Sequence, residues 1–179
     1  MEFSKILEKR RSIRKFLPES IDKAVLNQLF LSAQQAPSWK NSQTARYYVV
    51  TNKEILNRLK NEAIDDTNKP KVAECPCFII TTFVKNRSGF DRQGNAENEI
   101  GNGWGIYDAA MQHQNLINEA AQQNLGTLII GLRDITLLSD LLSIPEEETI
   151  LSIIAVGYYT DQPLAPKRKD IETICHYFE

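Results

Sequence analysis

Arg10, Arg11 and Arg14 fall within one short run, Arg10-Arg11-Ser12-Ile13-Arg14. Cations this close repel one another, so an anion is expected to compensate them. A phosphate suits the position. Guanidinium groups donate in a planar fork that matches its oxygens, and Ser12 adds a hydroxyl and a backbone N–H. The same run also reads as the solvated basic end of a helix, where cations complement the negative pole of the dipole. A second basic cluster, Lys167-Arg168-Lys169, follows Pro166. Against a net charge of −2, clustered cations point to a local anionic ligand, and the chain as a whole is not built to coat nucleic acid or an acidic membrane.

Other chemistries find little support. The two histidines, His113 and His176, have no His-Glu-x-x-His spacing and are expected to be structural or on the surface. Gly-x-Ser-x-Gly is absent, as are Gly-x-Gly-x-x-Gly after a strand and Gly-Lys-Ser/Thr. The cysteines, Cys75, Cys77 and Cys175, form no disulfide framework, and Cys75-Pro76-Cys77 leads into a strand, so core packing is expected of them. Their odd count suits a reducing cytoplasm. The start, MEFSKILEKRR, has no apolar signal-peptide core, and no apolar stretch approaches the roughly 20 residues that span a bilayer.

The elements that must position these residues follow from periodicity. Phe3, Ile6 and Leu7 predict a helix over 2–10. Asp22 is expected to cap a second helix carrying Val25, Leu26, Leu29, Phe30 and Ala33, with Pro37 at its end. Residues 38–45 read as a polar loop and 47–51 as a strand, and Asn52 caps a third helix with Ile55, Leu56, Leu59 and Ala63. After the polar connection 65–71, Phe78–Val84 is an unbroken apolar run, hence a central strand. The long polar segment 85–103 is either functional or mobile. Its carboxylates, Glu97 and Glu99, are expected to be solvated in a loop that could cover a substrate. A long helix is predicted over 104–123, with Tyr107, Ala110, Met111, Gln114, Ile117 and Ala121 along one face. Strand 128–132, a short helix 137–142, strand 150–159 and a final helix from Asp170 through Phe178 complete a single domain over 1–179. With 42% hydrophobic residues, the chain can bury one core.

Four features taken together carry a resemblance. They are the arginine run; Ala36-Pro37-Ser38-Trp39-Lys40-Asn41-Ser42-Gln43; Tyr107-Asp108-Ala109-Ala110 running through Gln114-Asn115-Leu116 to Leu125-Gly126-Thr127 and Ile130-Gly131; and Pro166-Lys167-Arg168-Lys169. In this order and at these separations the chain resembles the flavin-dependent nitroreductase family over essentially its whole length. The resemblance implies an α+β fold, a mixed β-sheet flanked by helices. It also implies an interlocked homodimer with a long central helix at the interface. Two FMN molecules would sit there, reduced by NADH or NADPH and reoxidised by a nitro compound, quinone or related small-molecule acceptor in a ping-pong cycle.

Residue by residue, the resemblance assigns the FMN phosphate to Arg10, Ser12, Arg14 and Arg168, with Arg11 and Lys167 assisting. Pro37, Ser38, Trp39 and Asn41 would lie across the ring of the partner's flavin, with Trp39 as a stacking candidate. Asn68 and Lys71 would face the pyrimidine end, where a cation stabilises the reduced ring. Ile129, Ile130 and Gly131 would bring backbone groups against the ring, Gly131 by lacking a Cβ. The flavin carries the chemistry, so no catalytic side chain and no metal is expected. Related flavin chemistries, such as ene or quinone reduction or a thiazoline-type dehydrogenation, share the fold. A flavin- or nucleotide-binding sensor without turnover and a plain dimeric interaction protein are the readings from other classes.

Overall fold

A computed structural model describes residues 2–179. Four strands form one sheet in the order β1-β2-β4-β3: β1 is Ala45–Val50, β2 Cys77–Val84, β3 Gly126–Ile130 and β4 Glu148–Gly157. All three neighbouring pairs are antiparallel. Among the described residues the parallel component expected of a mixed sheet is one bridge, Ser12 to Thr127. That bridge matters, because it fixes the arginine run to the start of β3.

The sheet is covered on both faces, and the period-2 alternation of its strands assigns each residue to a side. Phe78 and Ile80 of β2, Ile153 and Ala155 of β4, and Leu128 and Ile130 of β3 pack with Leu56, Leu59 and Leu138. These last three belong to α3 (Lys53–Arg58), to a π-helical turn at Leu59–Ala63 and to α5 (Ile135–Leu142). Cys77, Ile79, Ile154 and Val156 point the other way, against Leu26 and Leu29 of α2 (Lys23–Ala33) and Leu116 and Ala120 of α4 (Gly103–Gln122). With both faces dry, the central strands read as continuous apolar runs. The remaining helix, α1, spans Phe3–Lys9. No described helix is long and apolar enough to cross a membrane.

The predicted caps form. Asp22 accepts the N–H of Ala24, and Asn52 accepts those of Glu54 and Ile55. Helix α2 stops at Ala33, before Pro37, because residue 36 lies ahead of a proline and is disfavoured in the helical region.

Two expectations are corrected. The predicted face of α4 is offset: Ile117 and Ala121 are buried, but Tyr107, Ala110 and Gln114 are exposed. The buried face instead includes Asp108, Gln112 and His113, polar residues that a hydrophobicity pattern places outside. The final helix does not form. Asp170 precedes only a 3₁₀ turn, Ile171–Thr173. Ile171, Ile174, Tyr177 and Phe178 are 58–97% exposed, and a short helix without packing of its apolar side is marginal in water.

Candidate flavin site

Strand β3 is where the two ends of the chain meet. The Ile13 N–H donates to the Thr127 carbonyl at 2.9 Å, and the Ile13 side chain is buried. Gly126 makes room for it: a Cβ there would stand 2.5 Å from Ile13 Cγ1. The segment leaving β4 then runs back along the arginine run. The Leu17 N–H donates to the Tyr158 carbonyl at 2.8 Å, Lys15 pairs with Asp161 at 3.2 Å, and Gln162 Nε2 donates to the Lys9 carbonyl at 2.6 Å.

This arrangement delivers Arg168 to the same place as Arg10, Arg11, Ser12 and Arg14, around a cavity of about 170 Å³ closed by Pro163, Leu164 and Pro166. Among the described residues none of these four guanidinium groups pairs with a carboxylate. Desolvation, then the charges of Arg168 and Arg11, hold Arg10 below the ordinary arginine pKa. Arg11 Nε is buried without a hydrogen-bond partner, although its Nη1 donates to the Arg10 carbonyl at 2.7 Å. A cleft of uncompensated cations with an orphaned buried donor fits an anion such as a phosphate ester. Lys167 does not line this cleft; with Lys169, Asp170 and Arg168 itself it lines a shallow cavity.

The far end of β3 gathers a second group of the predicted residues. The Asp134 N–H donates to the Ala63 carbonyl, and Ile64 bridges Arg133, so residues 63–64 lie beside the exit of β3 and lead into the 65–71 segment. Asn68 Nδ2 donates to Asp65 at 2.6 Å, and Lys71 Nζ donates to Asn68 Oδ1 at 2.9 Å. Asp65 in turn lines a cavity of about 530 Å³ with Leu132 and Arg133. Ile129 is half exposed, whereas the Ile130 side chain is in the core, so Ile130 can offer a ligand only its backbone. At Gly131 no protein atom lies within 4 Å of where a Cβ would be, so packing within the chain does not require glycine there. Its carbonyl accepts Arg133 Nη1 at 2.6 Å. Thr127 and Gly131 are four residues apart along the extended chain, about 14 Å at 3.4 Å each.

The third group, Pro37, Ser38, Trp39 and Asn41, lies elsewhere. This loop leads into β1, one edge of the sheet, whereas β3 is the other edge. It touches α4 near its start, at Asp108, while the arginine run meets the chain just past the end of α4. At 1.5 Å per residue these points are roughly 20 Å apart along the helix.

The loop is tightly specified. Lys40, Asn41 and Gln43 have φ values of 46°, 56° and 48°. Left-handed backbone costs non-glycine residues roughly 1–2 kcal/mol each, so contacts must hold it. The missed residue Asp108 supplies one. Only 1% exposed, it accepts the Trp39 N–H at 3.0 Å, the Ser42 hydroxyl at 3.4 Å and the Ser88 hydroxyl at 2.6 Å. Glu97, expected to be solvated, accepts the Trp39 indole N–H at 3.2 Å and the Lys40 ammonium at 2.5 Å. The Trp39 ring meets Trp104 at 4.5 Å between centroids. A carboxylate six residues into a helix, between Tyr107 and Ala109, gave no sequence signal of burial, because its donors come from two distant loops.

The nitroreductase family profile matches residues 7–74 and 61–158. The chain belongs to the nitroreductase family. A Caulobacter vibrioides protein provisionally named NADH dehydrogenase/NAD(P)H nitroreductase is 30% identical over 80 residues, 45% of this chain and 40% of that protein. The match therefore spans well under two thirds of that relative's length. An Archaeoglobus fulgidus protein with the same provisional name is 23% identical over 165 residues, 90% of this chain and 87% of that protein. A Bacillus subtilis structure provisionally described as a nitroreductase superposes with a TM-score of 0.85 at 19% identity, covering 98% of each chain, and shows the shared fold.

Proposed function

We propose that this chain is an FMN-dependent oxidoreductase that works as a homodimer. The observation that supports this most directly is the cleft in which Arg10, Arg11, Arg14 and Arg168, drawn from distant parts of the sequence, meet without a carboxylate. When bound, FMN would supply two-electron transfer from NADH or NADPH to a nitro compound, quinone or related acceptor, each in turn at one face. The chain's own part is binding and orientation. The arginines and Ser12 hold the phosphate. The backbone of Ile129–Gly131 would border the ring, and Lys71, oriented by Asn68, would place positive charge at its pyrimidine end. The separation of the Trp39 loop from the arginine cleft supports the dimer, in which that loop would cover the flavin bound by a second copy. Residues 85–103 border the Trp39 loop and so flank the acceptor's approach.

The test begins with the purified protein, which should be yellow with the bands of oxidised flavin. It should bleach on adding NADH or NADPH and recover on adding a nitroaromatic or a quinone. Replacing Arg14 by Ala removes a charge-assisted contact worth roughly 1.5–3 kcal/mol and should weaken FMN retention at least about tenfold, with little effect on turnover of the flavin that remains. A colourless protein that takes up no added FMN would overturn the proposal. Bleaching without recovery would leave a sensor.

A further inference from the structure

Trp39 has two N–H groups, and both end on carboxylates. Asp108 takes the backbone N–H from a buried position on α4, a fixed anchor. Glu97 takes the indole N–H from the long 85–103 loop, and the same carboxylate closes on Lys40 Nζ at 2.5 and 2.6 Å. The Glu97 side chain keeps 29% of its surface and the Lys40 side chain 65%, so this second attachment can open into water where the first cannot. Glu97 is itself held from behind, its N–H donating to the Gly89 carbonyl at 2.8 Å. Trp104, under the Trp39 ring, is tied to the same loop through Asn98 Oδ1 at 2.9 Å. The Glu97 and Trp104 contacts to the indole therefore both run through residues 97–104, and Lys40 Nζ, which Glu97 holds, lies 5.8 Å from the centroid of the Trp39 ring.

We propose that Glu97 is a positioning residue: it latches the 85–103 loop to the Trp39 loop and so fixes the Trp39 ring over the flavin face where the acceptor binds. The inference rests on the flavin reading for its catalytic consequence, but the latch itself does not need flavin. Glutamine at 97 keeps the size and one acceptor while losing the charge that holds Lys40. A loosened ring gives up contact with ground state and transition state alike, which appears in KM and not in kcat.

The experiment uses the full-length, flavin-loaded protein. In Glu97→Gln the near-ultraviolet circular dichroism of the Trp39–Trp104 pair should weaken. With benzoquinone as acceptor, KM should rise about fivefold or more while kcat stays within about twofold and flavin occupancy matches the wild type. Lys40→Met should shift KM in the same direction, and the double variant should fall short of the sum of the two single ones, since both lose the Glu97–Lys40 pair, although Lys40→Met also removes the ammonium near the Trp39 ring. A Glu97→Gln protein with wild-type dichroism and wild-type KM would overturn the latch, as would fully additive effects in the double variant. If the wild type binds no flavin, the functional reading fails by itself, and the dichroism still decides whether Glu97 holds the ring.

Discussion

His113 makes the chain acid-sensitive by an amount that can be worked out. It lies on α4 at 8% exposure, edge-on to Tyr47 at 5.9 Å, and its Nε2 has no hydrogen-bond partner. Burial pushes its pKa from the ordinary 6.5 down to about 4. The neighbouring Tyr47 hydroxyl donates to Gln112 at 3.0 Å and is pushed well above the usual tyrosine range by burial, so it does not titrate in the same window. A depressed folded-state pKa means that the unfolded chain binds the proton more readily. The neutral imidazole's contribution to stability is thus complete above about pH 7, falls as the pH drops through 6.5, and is gone below about 4. At ~1.36 kcal/mol per pH unit the full effect is roughly 3 kcal/mol, and about 2 kcal/mol of it is lost between pH 7 and pH 5. Leucine is close to histidine in volume and cannot charge. Urea unfolding of wild type and His113→Leu should therefore give curves that diverge by about 2 kcal/mol between pH 7 and pH 5, with the variant favoured at the acid end. Parallel curves over that range would refute the reasoning and mean that His113 finds a partner or water in the folded state.

Gly126→Ala would place a Cβ 2.5 Å from Ile13, in a contact of buried side chain and strand backbone that has little room to yield. It should destabilise by roughly 1–3 kcal/mol and also reduce FMN retention, because the displaced segment carries the arginines. Thermal unfolding and flavin absorbance would report the two effects. Burial pushes Cys75 up to about 11 and Cys77 up to about 12, whereas Cys175 is partly exposed. A thiol reagent at pH 8 should titrate one cysteine per chain quickly and the other two only after denaturation. Asp22→Ala removes the cap of α2 and should cost about 1 kcal/mol in urea unfolding, a loss that Asp22→Asn should largely avoid.

The sequence carried the sheet well, because β2 and β4 are buried on both faces and leave an apolar run that nothing else explains. The caps at Asp22 and Asn52 were legible for the same local reason. The arginine run and Arg168 were each visible, and the structure brings them together through Ser12–Thr127 pairing and the return of residues 158–168. What stayed hidden was long-range polar satisfaction. Asp108, Gln112 and His113 sit on the inner face of α4, where Asp108 and Gln112 meet partners on the segments 39–47 and 88, and periodicity counts them as outward. The failure of the final helix has the opposite cause. Its pattern is amphipathic, but the chain has nothing to lay against it.

The return of residues 158–168 along residues 9–17 also sets a schedule. Three of the cleft's four guanidinium groups lie at positions 10–14, and the fourth is made only when synthesis has passed position 168. Because β4, which ends at Gly157, lies between β2 and β3, the sheet cannot be complete until shortly before residue 168 is made, so sheet and anion cleft are finished almost together, and a protein clipped between Pro163 and Arg168 would keep its sheet yet lose the fourth charge of the cleft.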